Sequence, residues 1–209
     1  DGISAHVISA EIMQMIEGNT DFSDTARNVM APPPVCLECR DLRENYEVTT
    51  PEHVWMAFNW LIQGKTSTDV LAEFAAIVEV AANRALTRLF ERAKIHAQAN
   101  GEPAPMEYRP LAVVSYARLL DMARDMGGEA ALARIAAVEE EYRYSNNPLL
   151  RSRVLVQATL AEARLSAPAI ITGNASLHYP AVHLDTTRPL DHAFIDAIHA
   201  ARQVIEARH

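Results

Sequence analysis

Lysine is almost missing from this chain: Lys65 and Lys94 stand against seventeen arginines, and 27 carboxylates outnumber all cations to leave a net charge of −8. That balance is a poor footprint for chain-wide binding to nucleic acid, because neutralising phosphate takes a basic surface. Only local arginine patches remain for such a partner. Scarce lysine beside abundant alanine and arginine points to a GC-rich coding sequence, which weakens any argument from one arginine alone. Cysteine is scarce as well, and two residues cannot build a disulfide scaffold; they suit a reducing compartment. No apolar run approaches the roughly 18–20 residues of a membrane span, and the opening Asp1-Gly2-Ile3-Ser4 has no leader pattern. No membrane partner is expected, and the expected location is cytoplasmic or within an assembled particle. Asp1 is not an initiator, so the chain reads as a processed product or a fragment. Also missing are a glycine-rich phosphate loop, G-x-S-x-G, H-E-x-x-H, paired E-x-x-H carboxylates and an EF-hand. No motif asks for a cofactor.

What is present is helix. From Lys65 to Asn100 the chain runs 36 residues without glycine or proline, bracketed by Gly64 and Gly101. At the α-helical rise this is about 50 Å of continuous helix. Thr66-Ser67-Thr68-Asp69 opens it, and Val70, Phe74, Ile77, Val78, Ala81 and Ala85 form its apolar stripe. Arg88 and Arg92 continue that stripe, so the C-terminal half turns cationic. Arg84, Arg88 and Arg92 either solvate an exposed end or meet an acidic partner.

Shorter helices are expected around it. Residues 4–17 have Val7, Ile8, Ile12, Met15 and Ile16 at helical spacing. Thr49-Thr50-Pro51-Glu52 resembles a helix start, and Val54 to Ile62, apolar on nearly every side, reads as a buried core helix or as one whose aromatic flank meets a second subunit. Further helices are expected at 110–126, 129–143 and 148–165, with a last one from Pro189 to Arg208. Two stretches break the pattern. The proline-stiffened 19–48 and the irregular 166–188 read as arms, and 169–184 holds two short apolar runs that suit a small β-hairpin. The expected fold is all-α, an irregular multi-helix bundle around one long helix, in a single domain over 1–209 with its helical core at 51–165.

Three constellations carry candidate chemistry. Cys36 and Cys39 form a lone C-x-x-C; a zinc site needs four ligands, and the nearest histidine in sequence is His53. His192, Asp196 and His199 share one helix face at metal-compatible spacing, with His178, His183 and Asp185 upstream, though that face lies opposite the apolar Phe194/Ile198/Ile205 stripe. Both sets stand as secondary metal candidates beside the bland readings of half-buried thiols and a solvated face. The segment from Arg143 to Arg153 holds Arg143, Tyr144, Arg151 and Arg153 with no acid. Free amides of a helix N-terminus favour anions, while Arg151 and Arg153 run against the macrodipole. A bound phosphate or carboxylate resolves that conflict; so does pairing with Glu139-Glu140-Glu141 just upstream.

The leading expectation is a non-enzymatic subunit of a larger assembly, coat-like, filamentous or a component of a multiprotein complex, with protein partners or self-association. The competing one is a small helical enzyme or ligand-binding protein, with metal dependence through the histidine face or the cysteines.

Overall fold

The computed structural model of the chain describes residues 2–26, 28–46, 48–175, 184–185 and 187–206. It divides into two units, Asp1–His178 and Tyr179–His209. The first contains helices α1 (Ala5–Ile16), α2 (Ser67–Asn100), α3 (Tyr116–Glu141) and α4 (Pro148–Ala163), with strands β1 (Thr25–Ala26), β2 (Val29–Met30), β3 (Val35–Asp41), β4 (Val54–Asn59), β5 (Ala112–Ser115) and β6 (Ala169–Thr172). The second contains helix α5 (Pro189–Glu206).

The expected all-α class is wrong. The chain is 56% helix and 13% strand, a mixed α/β structure, and among the described residues the strands form three two-stranded sheets. Val54–Asn59 is the instructive error. Six residues, five of them apolar or aromatic, are too few to separate a buried strand from a buried helix by periodicity, and their β-branched and aromatic content favours the strand. Its antiparallel partner β3 lies in what reads as an irregular arm, so neither strand announces the other. In the 110–126 stretch, Val113 and Val114 begin as strand, and the helix starts only at Tyr116, behind the Ser115 cap. The expected hairpin fails differently: β6 pairs in parallel with β5, while Ala181, Val182 and His183 lie outside the described residues.

α2 fills the bracket between its glycines. Thr66 Oγ1 accepts the Asp69 N–H at 3.2 Å and the Asp69 carboxylate accepts the Thr66 N–H at 2.9 Å, a reciprocal capping box. Gly101, at φ 67°, ends the helix in the left-handed conformation. Asp24 fixes the approach to this start. Its buried carboxylate accepts the N–H groups of Gln63, Gly64 and Lys65 at 2.6, 2.7 and 2.9 Å. Burial alone pushes this acid upward, yet the three backbone donors and the Lys65 ammonium outweigh it and hold the pKa at about 2.

Two apolar clusters meet at β5–β6. Ile8, Ile12 and Ile16 of α1 pack on Ile77, Val78, Ala81 and Ala85 of α2, with Met56, Phe58, Val113 and Ile170 against them. Leu119, Ala123, Ile135 and Ala163 of α3 and α4 form the other cluster, joined by Val114 and Ile171. Successive strand side chains point to opposite faces, so Val113 with Ile170 serves one helical layer and Val114 with Ile171 the other. The two-stranded parallel sheet is thus the middle layer between α1/α2 and α3/α4. α3 bends at Gly128, whose φ of 58° and ψ of −152° suit only glycine. Beyond the bend Arg134 grips Glu162 of α4 with two bonds of 2.6 Å.

Candidate functional site

The arginines separate into two groups by what holds them. On α2, Arg88 reaches the carboxylate of Glu11 in α1. Glu11 is only 5% exposed, and a buried carboxylate requires such a partner. Arg84 and Arg92 lie exposed on the same helix, and among the described residues no carboxylate stands within ion-pair distance of either. Glu11, Val80, Asn83, Arg84, Thr87, Arg88 and Glu91 line a shallow groove of ≈ 670 Å³.

Every arginine of the other group is occupied by a carboxylate of this chain. Arg143 lies 3.2 Å from Glu140, and Arg151 lies 2.8 Å from Glu139. Arg153 leaves this surface: only 12% exposed, it crosses to β3 and meets Glu38 at 2.6 Å. The N-terminal amides of α4 are also engaged, since the Asn147 side-chain Oδ1 accepts from the Leu149 and Leu150 N–H groups at 3.1 and 3.0 Å. Tyr144 is exposed. The conflict between these arginines and the helix dipole is therefore met by glutamates, and an anion there has to compete with them.

Cys36 and Cys39 sit on β3, where an irregularity between Cys36 and Glu38 resets the alternation. Cys36 pairs with Phe58 and Cys39 with Met56, so both thiols share one sheet face despite their odd spacing. Both thiols are free. Burial raises the Cys36 pKa first, followed by Cys39 and the carboxylates of Glu17 and Glu38, despite the bond from its thiol to the Glu38 carbonyl. This is the opposite of the electropositive setting that activates a thiol. His53 stands exposed just before β4.

In the second unit, His192 Nδ1 lies 2.9 Å from the Asp196 carboxylate, one turn along α5, and His199 is exposed on the same helix. The Asp185 carboxylate accepts the Thr187 hydroxyl at 2.6 Å. His178 and His183 lie outside the described residues. Among the described residues no group of three His, Cys, Asp or Glu side chains is placed to hold a metal ion, and no helix is long and apolar enough to cross a membrane.

Comparison with known proteins gives two relatives. No family model matches. The chain is 25% identical over 185 residues to the uncharacterized protein YqjN of Bacillus subtilis (strain 168), a match covering 87% of this chain and 33% of that protein. It is 29% identical over 80 residues to protein RocB of the same organism, covering 38% of this chain and 14% of that protein. The chain thus spans a third or less of the curated relatives that it matches. No solved structure matches.

Sequence reasoning missed the Glu11–Arg88 and Glu38–Arg153 pairs, each joining elements far apart in the chain. Glu11 was legible as an anomaly: it interrupts Ile8 and Ile12 on an otherwise apolar helix flank. Nothing local marks Glu38.

Proposed function

We propose that this chain is an interaction module of a larger assembly, completed by protein partners or by further segments of a longer polypeptide. The observation that carries the reading is the β5–β6 pair. Parallel sheets occur almost only with both faces covered by helices, and this one is covered on both, yet among the described residues it has two strands. Sheets commonly hold about four to six strands, and an unpaired edge is a template for another strand. The match to one third of a longer relative supports the same reading.

A partner strand at that edge makes this a component of a multi-subunit complex or of a longer chain, in preference to a coat-like or filament subunit. A nucleic-acid partner is disfavoured, because Arg143, Arg151 and Arg153 are already matched by glutamates. Amide hydrogen exchange tests the proposal. The outward amides of Ala112–Ser115 and Ala169–Thr172 should exchange within seconds in the dilute monomer and slow at least about a hundredfold within the assembly. Equal protection in both states refutes it.

A further inference from the structure

We infer that the exposed face of α2 from Val80 to Ile95 docks an acidic protein segment, an interaction beyond the strand pairing proposed above and carried by different residues. Val80, Arg84, Arg88, Arg92 and Ile95 recur at three- and four-residue steps and occupy about a third of the helix circumference over roughly 22 Å. Val80 is 45% and Ile95 66% exposed, two large aliphatic side chains at either end of an arginine row. Arginine is enriched at interface centres, and the two aliphatics add apolar area for a partner to cover. One member is already held in place. The buried Glu11 carboxylate fixes Arg88 between its two unpaired neighbours, so part of the ordering cost of binding is met in advance.

The charge pattern selects the occupant. A second copy is disfavoured, since a two-fold antiparallel contact centred on Arg88 sets Arg84 against Arg92 and a parallel one sets each arginine against itself. A phosphate backbone is disfavoured by the two exposed aliphatics, Val80 and Ile95, which it leaves without an apolar partner. A segment carrying carboxylates at four-residue spacing between apolar ends matches the exposed Arg84 and Arg92 and the two aliphatics that flank them. Such a segment gains charge-assisted, two-pronged bonds from guanidinium groups.

The test uses the whole 209-residue chain and a labelled synthetic helix of five turns, with Glu at every fourth position between terminal leucines. A second peptide carries Gln in place of Glu, and a single-stranded oligonucleotide is the third probe. Fluorescence anisotropy should show the Glu peptide binding at least about tenfold more tightly than the Gln peptide, and weakening about tenfold between ~50 and ~300 mM salt. The double variant Arg84→Glu, Arg92→Glu should lose about tenfold or more for the Glu peptide. Arg88 is left intact because it serves the fold, and circular dichroism checks that the variant keeps its helix content. If the variant unfolds, Arg84→Gln with Arg92→Gln replaces it, with the same direction of change required. Equal binding of the two peptides overturns the inference, as do an unaffected variant, no binding at all, or tighter binding of the oligonucleotide through the same arginines.

Discussion

Replacing Asp24 by Asn removes one charge from the turn that launches α2 while keeping nearly the same shape. In the folded chain that carboxylate, 4% exposed, receives three backbone N–H groups. Its pKa falls from 3.8 to about 2. At about 1.4 kcal/mol per unit, the charged form stabilises the fold by about 2 kcal/mol relative to the neutral one. Asn reproduces the neutral form, so Asp24→Asn should cost about 2 kcal/mol at pH 7. Asp24→Ala should cost more, because it also strands the three amides. The sign with pH follows from the depressed pKa. Between about 2 and 3.8 the unfolded chain binds the proton and the folded chain does not, so acid favours unfolding across that window. The gap between wild type and Asp24→Asn should be full above pH 5 and close to zero at pH 2. Urea unfolding followed by tryptophan fluorescence measures it, since the Trp60 indole donates to the Phe22 carbonyl at 3.0 Å beside this turn. A gap below about 0.5 kcal/mol at pH 7, or one that persists unchanged at pH 2, refutes the reasoning.

Three further outcomes are expected. Gly128→Ala should lower stability by about 1–3 kcal/mol because the bend in α3 needs φ 58°; thermal unfolding checks this, and a neutral result means the bend relaxes. Iodoacetamide at neutral pH should label the exposed Cys39 several-fold faster than Cys36, whose thiol is pushed up by burial and nearby carboxylates; peptide mass mapping reads the order. Arg153→Met should cost about 1–3 kcal/mol by leaving Glu38 without its short ion pair. Adding Glu38→Gln should recover part of that loss, as a double-mutant cycle in urea would record.

The helices were largely legible because their signals are local. α2 carries its own cap in Thr66 and Asp69 and its own stop in Gly101, and α4 begins at Asn147-Pro148 as the sequence reads. The strands were not, because a strand is stabilised by a partner distant in the chain. β4 lies next to β3 only through cross-strand pairs such as Phe58 with Cys36, and β5 finds β6 across two helices. The thiols show the same limit: a C-x-x-C reads alike on helix or strand, and only the irregular register puts both on one face. Arg84, Arg88 and Arg92 were legible as a row on one helix face. That Arg88 is anchored by Glu11, and that Arg151 and Arg143 are matched by their own glutamates, depends on packing that no spacing rule contains.

The interaction-module reading predicts that the isolated chain, deprived of the strand that normally covers β5–β6, associates with itself. Light scattering over about 1–100 µM is the most direct measurement. The mass should rise with concentration above the 23.1 kDa monomer, with β5 and β6 amides slower to exchange in the associated form. A mass fixed at 23.1 kDa throughout, with those amides already protected, contradicts it.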